Sequence, residues 1–233
     1  VAILHHAGFE AYLVGGCVRD VLLSRPPKDW DITTNAYPEK IQELFPDSFY
    51  ENKFGTVSVV TRAEDPSVRT LEITPYRIEG KYSDKRHPDE VTFSEKIDDD
   101  LSRRDFTVNA IALDISEDPP RIIDPFAGEK DLASKTLRAV GEAQKRFEED
   151  ALRIMRAVRL ATELTFHIEP KTHEALLRCA HLLKDIAIER IRDEFSKIIM
   201  TPKPSDGLNM IRELGILTQF MPELEEGWGC GQN

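Results

Sequence analysis

The chain has 233 residues, 40% of them hydrophobic and 31% charged, and carries a formal net charge of −11. These values are typical of a soluble globular protein with a sizeable core, and the absence of an apolar run long enough to cross a bilayer excludes a helical membrane protein. Its three cysteines are too few and too scattered for a disulfide framework or a zinc site, so we expect a reducing, cytoplasmic location.

The acidic balance argues against a nucleic-acid partner, but the distribution of charge weakens that argument. Residues 139–200 hold 11 basic and 11 acidic side chains, and the arginines are concentrated between Arg146 and Arg159. A locally neutral, arginine-rich segment inside an acidic protein leaves nucleic-acid binding open.

The predicted elements of residues 1–140 are short and alternate between strand and helix. Two of them are helices, at residues 18–23 and 38–45, and the second has Pro38 at its favoured first position. Residues 78–90, rich in Gly, Lys, Asp and Pro, are expected to form a mobile loop. Strands are predicted at residues 9–14, 29–33, 55–60 and 69–75, and the last two are expected to pair across the polar stretch at 62–67.

Helical periodicity replaces the strand signal from residue 142 onward. The sequence therefore predicts an α+β fold, in which a head with a small mixed β-sheet flanked by helices precedes an all-helical neck. The neck helices are predicted at residues 145–164, 170–183, 188–200 and 205–214.

A Gly15-Gly16 turn lies shortly before two carboxylates, Asp29 and Asp31. A glycine turn lets backbone amides approach a phosphate, and a helix start behind it favours negative charge. On a strand, Asp29 and Asp31 point to the same face and are able to hold one Mg²⁺ or a pair of them. An Asp-x-Asp pattern alone is also typical of a solvated strand edge. Together with the glycine turn, it predicts nucleotidyl or phosphoryl transfer.

Two further arginine-rich segments admit both a functional and a structural interpretation. Arg103 and Arg104, in the first of them, suit bidentate phosphate contacts, but they fit a surface salt-bridge network equally well. Asp105 and Asn109, four residues apart, would share a face of a helix.

The second segment has a charged residue at every third position. Spacing by three drifts around a helix by roughly 60° per step, so these side chains cannot form one flat patch, and Asp150 with Arg153 is the expected working pair. Ordinary ion pairing on a solvated helix is the alternative. The four residues are Asp150, Arg153, Arg156 and Arg159.

Taken in order, these motifs resemble those of the class II tRNA nucleotidyltransferases, the bacterial-type CCA-adding enzymes, which share their head with bacterial poly(A) polymerases. The resemblance runs from about Tyr12 to Arg159, with a later neck motif, and Ser24 stands where the family usually has glycine. The motifs are GGCVRD at 15–20, DWD at 29–31, RRDFTVNA at 103–110, DPFAG at 124–128, EDALR at 149–153 and IERIRDE at 188–194.

The resemblance implies a nucleotidyltransferase head at residues 1–140 and a nucleotide-selecting helical neck at 141–218. It implies the start of a helical body domain at 219–233, which we expect to continue beyond this chain. Asp29 and Asp31 would bind Mg²⁺ and carry catalysis. The residues expected to bind the nucleotide are Gly16, Arg19 and Arg104 near its phosphates, and Asp150, Arg153, Arg156 and Arg159 in the neck.

The implied chemistry is in-line displacement of pyrophosphate by the 3′-hydroxyl of the RNA, with two metal ions stabilising the attacking and leaving oxygens. Either catalytic aspartate is expected to help remove the hydroxyl proton. Glu72 is a candidate third acid, although strand alternation equally predicts that it is solvated.

A carboxylate and a guanidinium together select C and A. Asp150 would accept a hydrogen bond from the exocyclic amino group of cytosine or adenine, while Arg153 would donate to the ring nitrogen beside it. Uracil and guanine reverse this order and leave mismatched polar groups, at roughly 1–3 kcal/mol each. One Asp/Arg pair thus selects two bases without a template.

The preferred interpretation is addition of C, C and A to the 3′ end of tRNA from CTP and ATP. Alternatives on the same scaffold are an A-adding or CC-adding enzyme or a poly(A) polymerase; the full-length loop at residues 76–91 disfavours the CC-adding enzyme. An inactive RNA-binding module is the alternative of another class, and the intact Asp29 and Asp31 argue against it. Oligomeric state is left open.

Overall fold

The computed structural model describes residues 1–50, 55–80, 91–227 and 229. The described residues up to Ala133 form one compact unit, and those from Ser134 onward form another. None of the helices within these described ranges is long and apolar enough to cross a membrane.

The first unit combines short strands with short helices, as the sequence predicts. Its helices are α1 (Ala2–His6), α2 (Gly16–Leu22), α3 (Pro38–Leu44), α4 (Ile97–Ser102) and α5 (Gly128–Ala133). Its strands are β1 (Ala11–Val14), β2 (Asp31–Thr34), β3 (Ser48–Tyr50), β4 (Val57–Val60), β5 (Thr70–Pro75), β6 (Arg77–Glu79), β7 (Val91–Phe93), β8 (Ala112–Asp114) and β9 (Arg121–Ile123).

Within the described part of this unit, seven strands form one mixed sheet in the order β3-β4-β5-β2-β1-β8-β9. The β2–β5 pair is parallel and the other pairs are antiparallel, so the predicted mixed sheet and the predicted pairing of residues 55–60 with 69–75 are confirmed. β6 and β7 form a separate antiparallel pair. The predicted loop at 78–90 is partly strand β6, and its residues 81–90 lie outside the described ranges.

The sheet is covered on both faces, because neighbouring residues of a strand point to opposite sides. On β1, Ala11 packs in one apolar cluster with Ile32, Ile73 and α3, whereas Tyr12 belongs to a second cluster with Leu101 of α4. The two apolar clusters therefore lie on opposite faces of the sheet.

Sheet order brings three strand ends together. β1 runs antiparallel to β2, with Leu13 opposite Ile32, and antiparallel to β8, with Val14 opposite Ala112. The carboxyl end of β1 thus lies beside the amino ends of both neighbours. The glycine turn follows β1, Asp31 opens β2, and the 103–110 segment leads into β8.

The second unit consists mainly of helices, which confirms the predicted helical neck. A parallel pair of two-residue strands, β10 (Thr136–Leu137) and β11 (His167–Ile168), was not predicted, because two residues are too short for a periodic signal. The helices are α6 (Ala143–Glu149), α7 (Leu152–Leu164), α8 (Pro170–Cys179), α9 (Ile188–Ile199), α10 (Pro204–Glu213), α11 (Leu217–Phe220) and α12 (Pro222–Glu226).

The predicted continuous helix at 145–164 is wrong, because the chain breaks between α6 and α7. Asp150 adopts an extended conformation with φ of −139° and ψ of 103°. Its Oδ1 accepts a hydrogen bond from the backbone N of Leu152 at 3.1 Å. A short polar side chain that bonds nearby backbone competes with helix continuation. Asp150 therefore lies before α7 and not on one of its faces.

The 124–128 motif builds the start of α5. The two carboxylate oxygens of Asp124 accept from the backbone N of Gly128 at 2.7 Å and of Glu129 at 2.9 Å. A Cβ on Gly128 would overlap the carbonyl oxygen of Thr107 and lie 2.7 Å from Cγ1 of Ile111. This position requires glycine because the backbone of the 107–109 turn approaches it closely.

Replacing Gly128 with alanine is expected to lower the free energy of unfolding by about 3 kcal/mol, because the methyl group forces the Thr107 turn away from α5. Urea unfolding followed by circular dichroism measures the change. Gly227→Ala is the matched control, since the nearest atom to its new methyl group is the Leu224 carbonyl oxygen at 3.8 Å. Equal destabilisation by the two substitutions would contradict the packing argument.

Candidate active site

The glycine turn, an aspartate and an arginine meet at one point in the first unit. Gly15 has φ of +84°, a conformation that favours glycine, and precedes α2. A Cβ built on Gly15 would lie 3.0 Å from Nη1 of Arg104 and 3.7 Å from Oδ2 of Asp31. The backbone N of Gly15 donates to the carbonyl oxygen of Ile111 at 3.3 Å, which ties the turn to the start of β8. Glycine here leaves the space that Arg104 and Asp31 share.

Asp29 and Asp31 do not lie on one strand, contrary to the prediction. β2 begins at Asp31, where its ladder with β5 begins opposite Glu72, and the exposed Asp29 lies in the preceding bend. Burial raises the pKa of Asp31, the positive charge of Arg104 opposes this, and the negative charge of Asp29 adds to it. The two carboxylates are therefore close enough to repel each other, and a bound cation would relieve that repulsion.

The donor set at this point fits a divalent cation held jointly with a phosphate ligand. Mg²⁺ is commonly bound by one or two carboxylates together with substrate phosphates and waters. Asp29 and Asp31 supply the carboxylates, and the described residues contain no cluster of three or more metal-binding side chains. Glu72 is exposed and in register with Asp31, and its role as a third acid stays a prediction.

Arg104 is held by a buried carboxylate that sequence reasoning missed. Its Nη2 donates to Oδ2 of Asp100 at 2.9 Å, and Arg103 donates to Oδ1 of the same residue from Nε at 2.9 Å and Nη2 at 2.6 Å. Asp100 is fully buried. Burial raises its pKa, but the charges and hydrogen bonds of Arg103 and Arg104 outweigh this and hold the pKa below the ordinary value. Asp100 lies on α4, three residues before Arg103 and four residues before Arg104. This spacing is the signal in the sequence that could have predicted the two ion pairs.

One donor of Arg104 is buried without a partner among the described residues. This atom is Nε, and its neighbour Nη1 faces the glycine turn. A buried donor that lacks an acceptor costs about 1–3 kcal/mol. A phosphate oxygen is an acceptor that guanidinium groups bind strongly. Arg104 is thus oriented by Asp100 and left ready for an anion beside Asp31.

Arg19 forms a second anchored guanidinium beside Gly16. It is buried, its Nε and Nη2 both donate to Oδ1 of Asp20 at 2.8 Å, and its Nη1 donates to Oδ1 of Asn109 at 2.8 Å. Asn109 in turn donates from Nδ2 to Oδ1 of Asp105 at 3.1 Å. Asp105 and Asn109 lie together as predicted, although Asn109 belongs to a 3₁₀ turn and not to an α-helix.

The four charged neck residues fall into two groups in the second unit. Asp150 accepts at Oδ2 from Nη2 of Arg190 at 3.2 Å. Arg153 is buried, and its Nη1 donates to Oε2 of Glu149 at 2.8 Å and to the carbonyl oxygen of Arg146 at 3.2 Å. Both members of the predicted base-reading pair are thus oriented by other charged residues.

Arg156 and Arg159 belong to a separate cluster around Glu194 of α9. Glu194 is buried and accepts from Nε of Arg159 at 2.6 Å and from Nζ of Lys197 at 3.0 Å. Burial raises the pKa of Glu194, but Arg159, Lys197 and Arg156 outweigh this and hold it below the ordinary value. Arg159 therefore fastens α7 to α9.

Sequence reasoning missed the carboxylates, the amide and the guanidinium that orient the predicted residues. Short sequence spacing signals the pairs that lie close in the chain, whereas Asn109, Arg190 and Glu194 orient residues that lie far away in the sequence and leave no local signal. The residues missed are Asp100, Glu149, Arg190 and Glu194, together with the contact between Asn109 and Arg19.

Comparisons with known proteins agree on the head and extend into the neck. Residues 11–138 match the family described as the poly A polymerase head domain. Residues 165–227 match a second family, described as a probable RNA and SrmB-binding site of polymerase A.

Similar proteins carry the name CCA-adding enzyme. The chain is 50% identical over 200 residues to the CCA-adding enzyme of Lactobacillus helveticus, covering 85% of this chain and 48% of that protein. It is similar to the crystal structure of the Bacillus stearothermophilus CCA-adding enzyme in complex with CTP, with a TM-score of 0.82, 40% identity, and coverage of 93% of this chain and 51% of that one.

A further similar structure is a tRNA nucleotidyltransferase complexed with a primer tRNA and an incoming ATP analog. Its TM-score is 0.78 at 27% identity, covering 100% of this chain and 63% of the other. The chain spans about half the length of the curated relatives it matches.

Proposed function

Because the chain belongs to the poly A polymerase head-domain family, we propose that it adds C, C and A to the 3′ end of tRNA from CTP and ATP, without a template. The observation that carries this proposal is the convergence of the Gly15 turn, Asp31 and the unpartnered Nε of Arg104 within the described part of the chain. The names of the similar proteins support the choice of nucleotides and of tRNA.

Arg19 and Arg104 hold the triphosphate of the incoming nucleotide. Both are fixed by carboxylates, Arg19 by Asp20 and Arg104 by Asp100, so little side-chain freedom is lost when an anion binds. Guanidinium groups oriented in advance also stabilise charge that develops on the phosphate oxygens during transfer. The absent side chains of Gly15 and Gly16 leave room for the phosphates.

Asp29 and Asp31 would hold Mg²⁺, which when bound supplies Lewis-acid stabilisation of the phosphate oxygens. The carboxylate of Asp31 accepts the proton of the attacking 3′-hydroxyl. The hydroxyl oxygen then bonds to the α-phosphorus, and pyrophosphate leaves.

Asp150 and Arg153 read the base by the hydrogen-bond pattern that cytosine and adenine share. Arg190 orients the Asp150 carboxylate and Glu149 orients the Arg153 guanidinium. Arg156 and Arg159 contribute to nucleotide selection through the cluster that they form with Glu194 between α7 and α9.

The proposed domains are the head at residues 1–140, the neck at 141–218 and the start of a body at 219–233. The proposed partners are tRNA, CTP and ATP, and the proposed location is the cytoplasm.

Labelled-nucleotide incorporation tests the proposal. We expect the purified protein to add CTP to tRNA that lacks all three terminal nucleotides, to add ATP only to tRNA that lacks the last A, and to leave complete tRNA unchanged. Denaturing gels with each labelled nucleotide measure this.

Any other pattern of nucleotide incorporation would indicate one of the alternative functions. Long A tails on unrelated RNA would indicate a poly(A) polymerase, and use of only one of the two nucleotides would indicate a narrower enzyme. RNA binding without any incorporation would contradict catalysis altogether.

A further inference from the structure

We propose that Asn109 is a positioning residue for Arg19. Asp105 holds the amide of Asn109, this amide holds the guanidinium of Arg19, and the orientation of the guanidinium sets the affinity for the nucleotide triphosphate. The inference rests on the proposed function, in which Arg19 contacts phosphate. It concerns a residue that contacts Arg19 and not the reacting atoms.

The three side chains form a continuous hydrogen-bonded chain. Arg19 Nη1 lies 2.8 Å from Oδ1 of Asn109, whose Nδ2 lies 3.1 Å from Oδ1 of Asp105. Asp105 is itself fixed, because the same oxygen accepts from the backbone N of Phe106 at 2.8 Å. Arg19, Asn109 and Asp105 are 8%, 7% and 7% exposed, so competition from water is small.

The chemistry of the two ends requires a middle side chain that both accepts and donates. Arg19 only donates and an ionised Asp105 only accepts, so the residue between them must accept on one side and donate on the other. Asparagine does both with one planar group. Because Asp105 accepts from Nδ2, the amide cannot turn over without facing one acceptor with another. Its carbonyl oxygen is therefore held toward Arg19.

Asp20 and Asn109 hold the guanidinium of Arg19 along two of its edges. Asp20 binds Nε and one N–H of Nη2, and Asn109 binds one N–H of Nη1. Of the five N–H donors, the described contacts engage three and leave one on each terminal nitrogen. A Cβ on Gly16 would lie 3.7 Å from Nη2 and 4.0 Å from Nη1. The nitrogens that carry the remaining donors thus border the space that the missing Gly16 side chain leaves, and a phosphate bound there would meet them.

Substituting Asn109 tests this directly. Asn109→Leu removes both hydrogen bonds, and Asn109→Asp keeps the acceptor for Arg19 but faces Asp105 with a second carboxylate. Asn209→Asp, at an exposed position of α10, is the matched control.

The readouts are the Kd of the 233-residue chain for CTP by calorimetry with Mg²⁺, and KM and kcat for incorporation. Both single substitutions at Asn109 are expected to raise the Kd and KM about tenfold or more, with a smaller change in kcat. Asn209→Asp is expected to leave both constants unchanged. Thermal unfolding checks that each variant is folded.

Two outcomes separate failure of this inference from failure of the proposed function. Native Kd and KM in folded Asn109→Leu or Asn109→Asp would overturn the positioning role while the proposed function stands. If the native chain binds no CTP, or if Arg19→Ala binds it as tightly as the native chain, the phosphate contact itself is wrong and the inference falls with it.

Discussion

Replacing Asp31 with asparagine is expected to lower incorporation of CTP and ATP at least about 10³-fold while leaving the fold intact. The amide has the shape of the carboxylate but neither its negative charge nor its ability to take the 3′-hydroxyl proton. The site would then lose half of the donor pair that fits a divalent cation, and Arg104 would face a neutral group. Single-turnover incorporation on tRNA that lacks its last A measures the loss.

The same substitution is expected to raise the stability of the metal-free protein, which separates loss of function from unfolding. Because burial and Asp29 raise the pKa of Asp31, the folded state carries a penalty for its ionised form at neutral pH. Asparagine removes that penalty. The gain should be present above the folded-state pKa of Asp31 and vanish as the pH falls below the ordinary aspartate value, where the native residue is protonated in both states. Thermal unfolding in the presence of a chelator measures it.

Asp98→Asn is the matched control for this prediction. Asp98 lies exposed in the first turn of α4, so its substitution also replaces a carboxylate by an amide in the first unit. We expect native incorporation from this variant. Incorporation by Asp31→Asn above one-tenth of the native rate would contradict the role of Asp31 in holding the metal and accepting the proton.

Local patterns were sufficient to predict four of the described strands of the first unit, β1, β2, β4 and β5, and its helices α2 and α3. Alternation predicted β4 and β5 as a strand pair linked by a polar stretch, and the structure shows that they pair antiparallel. The residue types at Gly15, Asp31 and Arg104 predicted phosphate and metal chemistry. The sequence does not predict that these three residues lie close together. Their proximity depends on β1 lying between β2 and β8, and packing of the whole sheet sets that order.

The errors have equally specific causes. Helical periodicity is almost unchanged across a break of two residues, so the sequence predicted one helix where Asp150 separates α6 from α7. Asp29 alternates correctly with Asp31, but the β2–β5 ladder begins only at Asp31, and strand pairing of this kind is not encoded in the segment itself.

Ser24 adopts a left-handed backbone conformation with φ of +55°, which shows why the family's usual glycine suits that position.

Substituting Asp150, which lies at the break between α6 and α7, is expected to weaken selection of the base. Asp150→Asn is expected to lower the preference for CTP over UTP by about 10- to 100-fold, because the amide can turn its donor toward the uracil carbonyl. Competition between the two nucleotides on tRNA that lacks all three terminal residues measures the ratio. Asp193→Asn, at an exposed position of α9, is expected to keep the native ratio.

Asparagine is the decisive substitution at this position because Asp150 has two roles. Its Oδ1 also caps the start of α7 through the backbone N of Leu152, and alanine would lose that cap at a cost of about 1 kcal/mol. Asparagine caps helices as well as aspartate does, so α7 keeps its start while the acceptor for the amino group is no longer fixed. A loss of selectivity in both variants then arises from base recognition. A loss in Asp150→Ala alone, with native selectivity in Asp150→Asn, would show that Asp150 acts by holding the α6–α7 break, and the base-reading role would be wrong.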